Sequence, residues 1–506
     1  AAAVAVAVLA LLLALARPAG AHALLVSSDP AYGAALASAP ARVTLRFSEA
    51  VHLSRDSVTV RDAAGTLVSQ GAAAHAGRDD TAAVALRGGL PHGTYIVTWR
   101  LVSADTHPVG GSLEFGIGGP PDPGAAPAPP EPSALLTYAA GLAHAAALLG
   151  FALFAGLVLF GWLVWPDALV RRAPRQLLTI GGWLLAVATV AQLLLQGPRT
   201  GESLAGTLGY RYGQAAVARL VLLAVAGWAL RARTPSRARR VLAGGAVTGA
   251  LFSEALLGHA AAGGDAPFAV FAVTLHLAAM CLWTGGLTVL VLLVLARPRP
   301  DAPLLLRRWS RAAAWAVGVL AVTGAYQAWR EVGAFPALGG TPYGRLLLVK
   351  LGLFAAALAA AGVARRRLGA RTALRRAAAV ELTAHLAVLA VTATLTGSRP
   401  ARTDYGPPFR TTAAAGETRV RVEVAATRTG PQQITVSAPG LAAVTGGLAL
   451  PGEHLGPFDV RFRPDGPGRF TSQGAAAPRP GTWRLRLSLT TGDPLVHVLT
   501  VPYRVH

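Results

Sequence analysis

Three residues in the N-terminal quarter of the chain have the types and the spacing to hold a metal ion. Asp105 and His107 stand two apart in "RLVSADTHPVGGSLEF". In an extended chain, side chains two apart point to one face, about 6.5 to 7 Å from each other. The third residue is His22, in "RPAGAHALLVSSDP". Ahead of it runs "AAAVAVAVLALLLALA", an apolar stretch of 16 residues, short for a membrane span and of the right length for a secretory h-region. Ala19-Gly20-Ala21 then fits the small-x-small cleavage rule, so residues 1–21 are expected to be a signal peptide whose basic start precedes the sequence in hand. Cleavage after Ala21 makes His22 the first residue. Its α-amine, with an ordinary pKa of about 7.7 to 8, and its own imidazole then form a bidentate chelate that no internal histidine can offer. Nitrogen donors of this kind favour Cu(II), which heads the divalent affinity order. Two blander readings stand beside this one: an uncleaved anchor helix, and a turn-shaping Asp105 followed by an ordinary exposed His107.

The elements that must position these residues follow from composition. A hydrophobic fraction of 53% with only 14% charged residues marks a membrane protein. The formal charge of +22 sits in short arginine blocks between apolar runs, a pattern of membrane topology and not of a phosphate-binding surface, so no nucleic-acid partner is expected. The single cysteine, Cys281, excludes an intramolecular disulfide and any multi-cysteine metal site.

Residues 22–117 alternate apolar and polar residues in "ARVTLRFSEAV", "DSVTVRDAAG", "TAAVALRGGL", "GTYIVTWRLVS" and "GSLEFGI", which predicts a small β-sandwich or barrel, cupredoxin-like or Ig-like. Residues 118–133, "GGPPDPGAAPAPPEPS", are a Pro/Gly/Ala linker. Residues 134–398 hold eight apolar segments near the length of a bilayer crossing, which predicts an eight-helix transmembrane bundle. The loops after segments one, three, five and seven hold three, five, five and six arginines, and those between them two, none and two. The positive-inside rule makes the basic loops cytoplasmic, so both ends of the bundle face outward, in agreement with the export signal. Residues 410–506 return to strand patterns such as "TRVRVEVAA" and "TWRLRLSLT", a second β-sandwich on the same outer side.

"HALLVSSDPAYGAALASAPARVTLRFSEAV" and "GTYIVTWRLVSADTHPVGGSLEFGI" resemble the CopC periplasmic copper-binding domain over nearly its whole length. The resemblance implies that His22, Asp105 and His107 bind Cu(II). Thr106 departs from the family pattern, where glycine is more usual. A methionine-rich Cu(I) site, present in some members, is not expected, since Met280 is the only methionine. Glu49, His52, His75 and His92 read as surface residues.

The bundle resembles the CopD family of copper-resistance and copper-uptake membrane proteins, on "LLGHAA" (256–261), "LHLAAMCLWTGGL" (275–287), "PYGRLLLVKLGLF" (342–354) and "LTGSRP" (395–400). Polar side chains in hydrocarbon are expensive, so each is a functional candidate, and His144, Glu254, His259, His276, Met280 and His385 are the candidates for a transmembrane copper path. His144, His276 and His385 fall roughly 12 to 14 Å from a membrane face at 1.5 Å per residue. Glu254 and His259 fall at the outer end of the fourth segment. His276 and Met280 share a helix face, as do Glu381 and His385. Arg219 and Lys350 are expected to snorkel outward.

The resulting expectation is a multi-pass protein of the cytoplasmic membrane that captures Cu(II) outside and moves copper across, uptake being the favoured direction. A thioether prefers Cu(I), which implies Cu(I) in the membrane domain and a reductase or a periplasmic copper chaperone as partner. Two alternatives remain: a membrane redox protein with bis-histidine haem b, and a tethered copper buffer. With no hydrolase triad, phosphate loop or nucleotide motif legible in it, the chain is expected not to be an enzyme.

Overall fold

The structure, a computed structural model, describes residues 23–104, 106–121, 133–232, 236–296, 300–366, 371–416, 418–453, 455–477, 479–491 and 496–506. Its contacts group into two compact units. One is helical and also takes in the turn residues Thr106 and His107; the other is β and holds both β-rich regions.

The N-terminal β region is a two-sheet sandwich. Its strands are β1 (Leu25–Asp29), β2 (Ala35–Leu36), β3 (Arg42–Phe47), β4 (Val51–His52), β5 (Val58–Asp62), β6 (Ser69–Ala74), β7 (Thr81–Leu86), β8 (Gly93–Ser103) and β9 (Pro108–Ile117). One sheet runs β1-β3-β7-β6; the other runs β2-β9-β8-β4, with β5 also paired to β8. The alternation in the sequence is the cause. Val43, Leu45 and Phe47 of β3 face Tyr95, Val97, Trp99 and Leu101 of β8 in a shared core, while Arg42 and Arg46 stay outside. The chain directly after His22 is pinned to this core. Ala23 is buried, and Leu24 exchanges hydrogen bonds with Ser48, its N–H donating to the hydroxyl at 3.0 Å and its carbonyl accepting from the Ser48 N–H at 2.9 Å.

The C-terminal region departs from the expected two-layer sandwich. Its strands are β10 (Phe409–Ala415), β11 (Thr418–Val424), β12 (Gly430–Pro431), β13 (Ile434–Ser437), β14 (Ala443–Leu450), β15 (Leu455–Pro464), β16 (Arg469–Gln473), β17 (Ala476–Ala477), β18 (Gly481–Thr490) and β19 (Val496–Val505). Eight of them form one continuous sheet in the order β10-β11-β13-β16-β15-β14-β18-β19. The sheet curls like a barrel. Phe409 on the first strand and Tyr503 on the last bring their rings to 5.8 Å, and Trp483, Leu485, Leu487 and Leu489 of β18 line the interior between outward arginines. Period-2 patterning specifies an inner and an outer face but not whether the inner face meets a second sheet or its own far edge.

Eleven α-helices occur among the described residues, all but the last in the helical unit: α1 (Ala134–Leu163), α2 (Arg172–Thr200), α3 (Leu204–Gly209), α4 (Arg211–Leu230), α5 (Arg237–Ala255), α6 (Ala266–Val289), α7 (Ala302–Val332), α8 (Ala337–Gly340), α9 (Pro342–Arg366), α10 (Arg371–Thr396) and α11 (Ala401–Asp404). Six are long and apolar enough to cross a membrane: α1, α2, α4, α6 with its π-helical extension Leu290–Val294, α9 and α10. The expected count of eight spans is thus met by six. The other two long helices are diluted by polar residues: α5 opens on "RARR", and α7 mixes Thr323, Tyr326 and Gln327 into its apolar stretch.

Helix α6 is the centre of the unit because small residues let a neighbour reach its backbone. A Cβ on Gly285 would lie 2.3 Å from the Ala152 carbonyl of α1, and one on Gly156 of α1 would lie 2.1 Å from the Cys281 carbonyl. Only glycine at both places permits this approach, the small-residue packing of helices in lipid.

Candidate metal centres

His22 and Asp105 lie outside the described residues, and His107 lies within them. His107 closes the connection between β8 and β9, whose register pairs Val102 with Pro108. Thr106 takes φ +71°, the only positive φ on a non-glycine among the described residues. A left-handed, β-branched residue is a genuine outlier, and it accounts for glycine being the usual occupant.

Within the helical unit, the Thr106 carbonyl accepts from the Gln196 amide of α2 at 3.2 Å, and the His107 ring stacks on that of His259 at 4.9 Å with planes 12° apart. His259 stands in a short turn between α5 and α6, held by a buried cluster that sequence reasoning missed. Arg330 of α7 pairs with Asp265 at 3.1 Å, donates to the His259 carbonyl at 2.7 Å and also donates to the carbonyl of Ala262. Tyr326 donates to Asp265 at 2.9 Å. Asp265 precedes α6 and Arg330 lies near the end of α7, so their pairing could not be seen along the sequence.

His144 and Glu254 were expected at different depths, yet the structure brings them together. Helix α1, with 30 residues, is about 45 Å long at 1.5 Å per residue, longer than the roughly 30 Å of hydrocarbon. Its length therefore exceeds the core, and depth counted from its first residue overshoots. His144 Nδ1 lies 3.6 Å from Glu254 Oε1 and 3.1 Å from the Gln192 amide nitrogen. Arg219, expected to snorkel, is instead only 1% exposed. It pairs with Glu254 at 2.5 Å, donates to the Ser253 hydroxyl at 3.1 Å and lies over the Phe151 ring. A charged group that cannot reach water keeps its charge by pairing.

His276, Met280 and Trp283 lie within about 60° of arc on one face of α6. His276 Nδ1 meets the Thr323 hydroxyl of α7 at 2.9 Å. Met280 packs at the edge of the bundle core. Trp283 donates to the Glu381 carboxylate of α10 at 2.6 Å, and its ring meets that of His385 at 4.3 Å, edge to face. Glu381 and His385 are 5% and 7% exposed, and the His385 ring also meets the Glu381 carbonyl at 2.8 Å. Cys281, next to Met280, is buried against α1. No group of three or more His, Cys, Asp or Glu able to hold a metal ion occurs among the described residues.

Comparison with known proteins fits this division of the chain. Residues 25–118 match the CopC domain and residues 303–395, spanning α7 to α10, match Copper resistance protein D. Copper transport protein CutJ of Bacillus subtilis is 30% identical over 423 residues, 78% of this chain and 77% of that protein. The chain belongs to the CopC–CopD fusion family. Copper resistance protein C of Pseudomonas syringae is 36% identical over 103 residues, 19% of the fusion chain and 81% of the relative. The crystal structure of CopC from Methylosinus trichosporium OB3b, 31% identical, is covered over 95% of its length by 20% of the fusion chain, with a TM-score of 0.18. The fusion is accordingly a multi-pass membrane protein that handles copper.

Proposed function

We propose that this CopC–CopD fusion captures Cu(II) outside the cytoplasmic membrane and conducts copper inward through its helical unit. His22, through amine and imidazole, Asp105 and His107 hold the captured ion. His259, His276, Met280 and His385 carry it through, and His144 and Glu254 belong to the Arg219 ion-pair network. All eight long helices span the bilayer, with both β regions outside. One observation carries this reading: the ring of the outer ligand His107 stacks on that of His259, the first donor of the helical unit. An ion leaving one imidazole there meets the next within a few ångströms, ahead of some 30 Å of hydrocarbon in which a bare cation is prohibitive. The thioether of Met280 favours Cu(I), so a reductant acts before entry. The CutJ name, copper transport protein, supports the same reading.

Cellular copper, measured with and without the gene at limiting and excess copper, tests direction. Lower copper in the deleted strain at limiting supply supports uptake; higher copper at excess supply means export. A Soret band in the purified protein would favour the haem alternative. The outer site has its own test. One alanine inserted before His22 in the secreted domain displaces the amine and should weaken Cu(II) binding greatly in a competition titration, with the fold intact by circular dichroism. Unchanged affinity would remove the amine from the ligand set.

A further inference from the structure

The three histidines on the long helices, His144, His276 and His385, differ in where the ring hydrogen must sit. The Thr323 hydroxyl donates to the Val319 carbonyl at 2.6 Å, which uses its only hydrogen. At the 2.9 Å contact with His276 it can then only accept, so His276 Nδ1 carries the hydrogen. His385 Nδ1 lies 2.8 Å from the carbonyl of Glu381, which has nothing to donate, so this Nδ1 carries the hydrogen too. In a neutral imidazole that leaves Nε2 as the lone-pair nitrogen in both rings. His144 is the reverse. The Gln192 amide donates to its Nδ1 at 3.1 Å, so the hydrogen is on Nε2, which is buried with no hydrogen-bond partner among the described residues.

Resting on the copper-path reading above, we propose that Thr323 is a positioning residue that commits His276 to bind Cu(I) through Nε2, and that His276 and His385, but not His144, are the nitrogen ligands within the bundle. A metal-binding histidine is oriented by what its other nitrogen holds, and the hydroxyl of Thr323 and the carbonyl of Glu381 do that here. Met280, one turn from His276 on the same face, adds the soft sulfur that selects Cu(I). Gln192 disqualifies His144 by occupying a lone pair instead of a hydrogen.

The test uses the full chain in lipid nanodiscs, with His107→Ala to silence the outer site. Cu(I) affinity is read by competition with a coloured chelator under reducing conditions, and tautomers by ¹⁵N spectra of histidine-labelled protein, with His276→Gln assigning the signal. Thr323→Val should weaken Cu(I) binding about 10- to 100-fold, while Thr323→Ser, which keeps the hydroxyl, should stay within about threefold of the parent. The His276 signal should show hydrogen on Nδ1 in the parent and the serine variant, and a mixture in the valine variant. His144→Gln should leave Cu(I) affinity unchanged. Unchanged affinity in Thr323→Val, or an equal loss in His144→Gln and His276→Gln, would overturn the proposal with the copper path intact. A parent that binds no Cu(I) at all would overturn both.

Discussion

Where α1, α2, α4 and α5 meet, His144 shares its ring nitrogen with Gln192 beside a completed Arg219–Glu254 ion pair. Where α6 meets α7 and α10, His276 Nδ1 stands 2.9 Å from the Thr323 hydroxyl and His385 Nδ1 stands 2.8 Å from the Glu381 carbonyl. Both neighbourhoods are polar groups inside an apolar bundle, and along the sequence they look the same. The difference shows that a membrane histidine cannot be read from depth or helix face alone. An ion pair closed at 2.5 Å is a clamp between helices, whereas a ring whose second nitrogen is committed as a donor keeps a lone pair for metal.

Breaking the clamp should have the largest effect on stability. Arg219→Leu leaves the Glu254 carboxylate buried without its partner, and removing one member of such a pair costs about 3 to 5 kcal/mol. A fall in thermal stability of the detergent-solubilised protein reads it out. The Arg219→Leu/Glu254→Leu double variant should recover most of the loss and retain copper uptake; a stable double variant without uptake would move Glu254 into the path. On the other side of the comparison, Met280→Leu conserves volume and should cost less than about 1.5 kcal/mol, yet lower uptake by removing the thioether. Equal uptake would make Met280 mere packing. The smallest expected effect lies in the outer turn. Thr106→Gly relieves a left-handed threonine and should stabilise the N-terminal domain by about 1 kcal/mol, visible as a higher melting temperature with Cu(II) affinity retained.

Apolar run length and strand alternation located much of this architecture. Every one of the eight apolar segments folds as a long helix, because an apolar run of bilayer length must satisfy its backbone internally in lipid. Alternation in "ARVTLRF" and "TWRLRLSLT" named the buried faces of β3 and β18 correctly. What stayed hidden depends on which helices become neighbours. Arg219 and Glu254 are 35 residues apart, Asp265 and Arg330 are 65 apart, and His276 and Thr323 are 47 apart. Each pairing is made by packing, which local pattern does not encode. The same holds for the C-terminal sheet, whose strands were legible one by one and whose closure was not. Thr106 is the converse case: its departure from the family's glycine was visible in the sequence, and the positive φ explains why glycine suits the position.

The claim that copper crosses on the α6 face is tested most directly by uptake of radioactive copper into membrane vesicles carrying the wild-type chain or His276→Ala at matched expression. Uptake should fall to the level of vesicles lacking the protein, while Cu(II) binding by residues 22–117 stays normal. Wild-type uptake in the His276→Ala vesicles would contradict the account.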